Sequence, residues 1–157
     1  VILFHSTDLP KGKGWAPIYY SIFNNETFFT ISGITASNKV DSGKIIVKGK
    51  FKILPNHTAE YIRKWDEEIS IILIKTILKK IKNTKISGIP QKGKITFYKK
   101  RLPEDNELSS KNMINHLRAC EKNHPAFFYN KNEKFFINIE PENIPKFPKD
   151  LKIKFYF

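Results

Sequence analysis

Two side chains in this sequence have the types and placing needed for proton transfer, His5 and Asp41. His5 ends the apolar run at residues 1–4 and opens a loop, while Asp41 sits in the turn-rich segment ASNKVDSG at residues 36–43. A histidine can shuttle a proton near neutral pH or donate to a developing oxyanion, and a carboxylate can hold its tautomer or take a proton from an attacking amine. Each lies at a junction of strand and loop, which in a parallel sheet can bring both to one crevice. A turn-forming Asp before Ser-Gly and a hydrogen-bonded histidine at a strand end account for the same residues without chemistry.

The loop at residues 9–17 is the second candidate. Gly12 and Gly14 let the backbone approach a ligand, and Lys11 and Lys13 can meet an anion. The spacing is not that of a triphosphate-binding loop, and a plain exposed loop fits it as well. The stretch RLPEDNEL gathers Arg101, Glu104 and Asp105, which can contact a hydroxyl-rich substrate or simply form a polar turn. One cysteine and four histidines, far apart and in no ligand spacing, give no case for a metal. Cys120 falls in the apolar register of a short helix and reads as core, His124-Pro125 as a helix stop, and His116 as a surface or minor contact.

These residues need a scaffold. With 157 residues, 40% apolar and 13% aromatic, the chain can build a core. Residues 1–4 read as a central parallel strand covered on both faces, 16–23 as a short helix opened by Pro17, and 28–34 and 44–53 as strands. A long helix follows Thr58 as N-cap, with the apolar stripe Ile62, Trp65, Ile69, Leu73, Ile77 and Ile81. Composition shifts between residues 83 and 88, dividing an α/β part at 1–85 from a small α+β region at 86–157. That region reads as a strand at 95–98, a helix at 110–121, a hairpin from 126–129 into 135–139, and an edge strand after Leu151.

The net charge of +13 makes anionic partners plausible, although the charge is spread over scattered lysines and Arg63, Arg101 and Arg118 are the only arginines. There is no membrane-length apolar run and no secretory leader, and the lone cysteine fits a reducing compartment, so a cytoplasmic protein is expected. The chain starts at Val1 inside a strand, the expectation for a fragment of a longer protein.

The segments HSTDLPKGKGWAPIYYSI and TISGITASNKVDSGKII resemble the second half of the catalytic domain of the folate-dependent formyltransferases, a Rossmann-like α/β fold. PQKGKITFYKKRLPEDNELSS and NHLRACEKNHPAFFY resemble the region that follows it in the sugar N-formyltransferase and methionyl-tRNA-formyltransferase-like branches. The resemblance covers residues 1–139 and implies transfer of a formyl group from 10-formyltetrahydrofolate, without a metal, to a primary amine. His5 matches the family's catalytic histidine and Asp41 its aspartate. The amine would attack the formyl carbon, His5 would stabilise or protonate the tetrahedral intermediate, and Asp41 would hold His5 and help remove the amine proton. Ser6, Leu9, Lys11, Gly12, Gly14 and Val40 fall where the folate would bind, and Trp15, Arg101, Glu104 and Asp105 where the acceptor would. The small-molecule acceptor this implies is a nucleotide-linked amino sugar, with methionyl-tRNA and a non-catalytic remnant as alternatives. The family's usual Asn two residues before the histidine is here Leu3, which has no side-chain donor.

Overall fold

The computed structural model describes residues 1–82, 86–109 and 111–156. In chain order the elements are β1 (Ile2–His5), β2 (Lys13–Gly14), α1 (Pro17–Phe23), β3 (Phe28–Thr35), β4 (Ile45–Lys52), α2 (Ala59–Ile81), β5 (Phe97–Tyr98), a 3₁₀ turn (Pro103–Asn106), α3 (Met113–Ala119), β6 (Ala126–Asn130), β7 (Glu133–Ile137) and β8 (Lys152–Phe155). Strands β1, β3, β4 and β8 form one sheet in that order, with every pairing antiparallel.

Alternation along β3 and β4 sends Phe29, Ile31, Val47 and Phe51 to one face, where all are buried. The α2 stripe Ile62, Trp65, Ile69, Leu73 and Ile77 lies on that face and is likewise buried. Gly49 of β4 leaves room for the helix, since a Cβ there would sit 3.3 Å from Ile69 Cγ2. Ile81, expected to continue the stripe, is 46% exposed. The helix outruns its support: 23 residues extend about 34 Å, and an eight-residue strand about 27 Å.

The reading of residues 1–4 as a central parallel strand is corrected. β1 pairs antiparallel with β3, His5 opposite Ser32, and forms an edge of the sheet among the described residues, with Leu3 47% exposed. A four-residue apolar run carries no signal for strand direction, and two-sided burial was inferred from it alone.

The region past residue 86 is tied to what precedes it. β8 is the sheet's fourth strand, β5 pairs in parallel with β2, and Ala119, Cys120 and Ala126 share the main core. Cys120 is core as expected. His116 is not at the surface: α3 packs on α1 and sets its ring 5.4 Å from Phe23 and 5.9 Å from Tyr19. The expected strand at 95–98 shortens to β5 and the expected helix at 110–121 to α3, whose start at residue 110 lies outside the described residues, as does part of the 83–88 boundary. No helix among the described residues is long and apolar enough to cross a membrane.

The turn entering α2 is held by buried polar groups. His57 Nδ1 accepts the Leu54 N–H at 3.2 Å, and Arg118 donates to the carbonyls of His57 and Leu54 at 3.1 and 2.8 Å. Burial, with the neighbouring Arg118 cation, lowers the His57 pKa to about 4. The unfolded chain therefore binds a proton between roughly pH 6.5 and 4 that the folded chain refuses. Stability should fall as pH drops through that window, and His57→Gln should flatten this part of the stability–pH curve, measured by urea unfolding. In the same assay Ile69→Ala should cost about 2–5 kcal/mol, and Ile71→Ala, at a half-exposed position, well under that.

Candidate functional site

His5 is the last residue of β1 and is buried, its ring on the sheet face opposite α2, under the loop at residues 6–12. Its Nε2 lies 2.9 Å from the Gly12 carbonyl oxygen, so that nitrogen carries the proton and donates. Nδ1 is then the basic nitrogen, and it faces Asp41 Oδ2 at 3.5 Å. The same carboxylate oxygen accepts the Gly14 N–H at 2.9 Å. The antiparallel sheet thus brings His5 and Asp41 to one corner, by a route other than the parallel crevice expected.

Two loops meet there and each is locally determined. Asp41 adopts the left-handed conformation with φ 46°, which Asp tolerates better than most residues. Gly43 must be glycine, because a Cβ would lie 1.6 Å from the Thr35 carbonyl oxygen. Across from them Gly14, at φ 95°, lets the backbone pass Tyr98, whose carbonyl oxygen a Cβ would approach to 2.7 Å. Lys13 completes the junction by donating from Nζ to Ser42 Oγ at 2.6 Å. Lys13 is thus buried and internally engaged, whereas Lys11 stays exposed at the loop tip.

Of the other expected folate residues, Leu9 has its side chain in a small core with Ile34 and Ile45, so only its backbone is on offer. Ser6 points to the α2 side and donates to Asp66 at 2.9 Å. Val40 is 66% exposed and, with Leu3, Ile34 and Asp41, lines a cleft of about 270 Å³.

Three contributors lie outside the residues the sequence singles out. Gln91 donates from Nε2 to the carbonyls of Asp41 and Gly43 at 2.8 and 2.9 Å, clamping the turn. Thr96 accepts the Gly12 N–H on Oγ1 at 2.8 Å and the Lys13 N–H on its carbonyl at 2.9 Å. Asp66 sits behind the end of β1. Burial raises its pKa above the usual carboxylate range, against the pull of the Ser6 hydrogen bond and of Arg63 and His5. Gln91 and Thr96 act on backbone groups far away in sequence, which no local pattern reports. Asp66 did leave a signal, being an acid immediately beside a stripe residue, Trp65.

A cavity of about 440 Å³ opens beyond Gly14. Trp15, Tyr19, Phe127 and Phe136 supply aromatic surface, and Lys100, Arg101 and Lys134 supply positive charge, while Arg63 is paired with Glu121 of the same lining. Of the expected acceptor residues, Trp15 and Arg101 line it. Arg101 also stacks its guanidinium 3.4 Å from the Tyr19 ring centroid and bonds Asn106. Glu104 and Asp105 are not in the lining: Asp105 caps the 3₁₀ turn by accepting the Leu102 N–H at 2.8 Å. No group of His, Cys, Asp and Glu among the described residues could hold a metal ion.

No family profile matches the chain. Its sequence is 37% identical over 124 residues to the methionyl-tRNA formyltransferase of Borrelia garinii subsp. bavariensis, a match covering 74% of this chain and 38% of that protein. The chain therefore spans about two fifths of the length of that relative. Its fold matches a 4-N formyltransferase from Francisella tularensis with TM-score 0.80 and 19% identity, over 91% of this chain and 63% of the other. A sugar N-formyltransferase from Shewanella sp. matches with TM-score 0.74 and 17% identity, over 92% and 62%. HypX from Aquifex aeolicus, solved in complex with tetrahydrofolic acid, matches with TM-score 0.74 and 15% identity, over 94% and 27%.

Gln91→Leu should leave the carbonyls of Asp41 and Gly43 without their side-chain donor, lower stability by about 1–3 kcal/mol, and speed amide hydrogen exchange at residues 41–43. Gln91→Glu, which removes the donor group at nearly constant volume, should do the same.

Proposed function

We propose that this chain, which falls within the folate-dependent formyltransferase family, carries the part of a formyl-transfer site in which His5 and Asp41 handle the proton and the developing charge. The observation that carries the reading is the shared carboxylate oxygen of Asp41, 3.5 Å from His5 Nδ1 and 2.9 Å from the Gly14 nitrogen. A donor such as 10-formyltetrahydrofolate supplies the formyl carbon. The cleft of about 270 Å³ beside Asp41, walled by Leu3, Ile34 and Val40, suits one flat ring and not a whole folate, so this chain would hold only part of the donor. The tetrahydrofolate complex of the HypX neighbour supports that class of co-substrate.

The residues divide the work by geometry. A primary amine that bonds to the formyl carbon must lose a proton, while the bond from that carbon to the donor nitrogen breaks and the nitrogen leaves protonated; Nδ1 of His5, with the Asp41 carboxylate beside it, can take the first proton and return one to the leaving nitrogen. Gly14 holds Asp41 in place through its N–H, and Gln91 holds the turn that carries Asp41. Nε2–H is the donor closest at hand for negative charge on the formyl oxygen, since Leu3 offers no amide.

For the acceptor, the aromatic and cationic cavity that begins at Trp15, the residue after Gly14, favours a nucleotide-linked amino sugar: rings on which a base can stack, cations for its phosphates. Methionyl-tRNA is the second reading, favoured by the sequence relatives.

The test is formyl transfer from 10-formyltetrahydrofolate by the full-length protein that carries this chain, with amino-sugar nucleotides and methionyl-tRNA offered in parallel. His5→Ala and Asp41→Ala should each lower kcat by about 10²–10⁴. Unchanged activity in both variants rejects their catalytic assignment, and an inactive wild type favours a non-catalytic remnant. Trp15→Ala should raise the KM for an amino-sugar nucleotide by roughly 5- to 150-fold, the worth of one stacked base, and leave the KM for the formyl donor unaltered.

A further inference from the structure

The sheet face opposite α2 is divided. The loop at residues 6–12 covers the His5 end, with Leu9 packed on Ile34, Ile45 and Tyr156 and the Ser32 hydroxyl donating to the Thr7 carbonyl at 2.7 Å. No other described element covers the remaining half, which is lysine-rich. Register places Lys48 opposite Lys154 and Lys50 opposite Lys152, with Lys52 next along β4 on the same face. Like charges directly across two strands repel and weaken the sheet. Lys48 is neutralised by Asp8 and also donates to the Leu9 carbonyl. No ion pair to Lys50, Lys52, Lys152 or Lys154 occurs among the described residues, and Asp150, at the rim, is turned to the Lys52 backbone N–H.

Two aromatic rings are interleaved with these ammonium groups. Lys50 Nζ lies 4.4 Å from the centroid of Phe28, which is 43% exposed, and Lys154 Nζ lies 5.3 Å from that of Tyr156. Positive charge at every second position of a strand, a repeat of about 6.8 Å, with rings between, suits a phosphodiester chain whose unpaired bases can stack. A lipid surface would use the charge but has no use for stacking rings. The rung His5, Ser32, Lys48, Lys154 runs straight across the sheet, so an RNA lying on the lysines would point toward the His5 end.

We infer that the open face formed by Lys50, Lys52, Lys152 and Lys154 with Phe28 is a docking surface for single-stranded RNA. This goes beyond formyl transfer and does not rest on it, because the readout is binding.

The test is fluorescence anisotropy of the full chain with a labelled single-stranded RNA of about twelve nucleotides, across a salt series. The variant Lys50→Gln/Lys52→Gln/Lys152→Gln/Lys154→Gln should lose at least tenfold in affinity. Its slope of log K against log salt should flatten by about 3, at roughly 0.7 for each phosphate contact removed. A control of equal charge on α2 and its C-cap, Lys64→Gln/Lys75→Gln/Lys79→Gln/Lys82→Gln, should stay within about twofold of wild type, and Phe28→Ala should weaken single-stranded RNA more than duplex. Equal losses in the two quadruple variants would reduce the effect to overall charge and overturn the assignment. So would absence of RNA binding by the wild type at low salt, or binding of phosphatidylserine vesicles through these lysines without binding of RNA. Removing the cross-strand repulsion should hold or raise Tm in the face variant, so loss of binding there reads as loss of contact.

Discussion

One oxygen atom joins the two loops on which the proposed chemistry rests. Asp41 Oδ2 accepts the Gly14 N–H and stands beside His5 Nδ1, linking the loop after β1 to the loop between β3 and β4. That contact requires a left-handed Asp41, a Gly43 with no Cβ, and a Gly14 that slips past the Tyr98 carbonyl. It also requires the segment at 89–98, which supplies Gln91 and Thr96 from behind. The corner is therefore not carried by the first 85 residues alone. Its rear wall comes from the chain that follows α2.

What was legible in the sequence divides along a physical line. The α2 stripe, the strands at β3 and β4 and the hairpin β6–β7 follow from periodicity, a local property, and were read correctly to within a few residues. His5 and Asp41 were singled out because strand ends and Asp-Ser-Gly turns are also local signals. The antiparallel pairing of β1 with β3 is not legible, because a four-residue apolar run looks alike in parallel and antiparallel sheets. The reading of His116 as a surface or minor contact fails because its burial depends on where α3 meets α1, a tertiary fact. Gln91 was unreadable for the same reason, since its partners are two carbonyls about fifty positions away.

Charge is organised more tightly than its even spread along the chain implies. The core face of the sheet takes apolar residues and a helix, so lysines at alternate positions of β4 and β8 are driven together on the other face by pairing register. Composition reports only the sum of +13. The register decides whether that sum is a diffuse solvated coat or a field with a direction.

The same bookkeeping of donors explains how Leu3 can stand where an amide is usual. The N–H groups of Gly12, Lys13, Gly14 and Trp15 all donate inside the protein, to Thr96, Thr96, Asp41 and Tyr98. Stabilisation of a charged formyl oxygen, on the proposed reading, falls to His5 Nε2–H, which at rest donates to the neutral Gly12 carbonyl. A hydrogen bond to an oxyanion is roughly twice as strong as one to a neutral acceptor. Gly12 thus holds the proton of Nε2 against a neutral carbonyl of substrate and yields it once charge develops. A donor released only to the charged species favours the transition state over the ground state, the condition for raising rate and not merely binding.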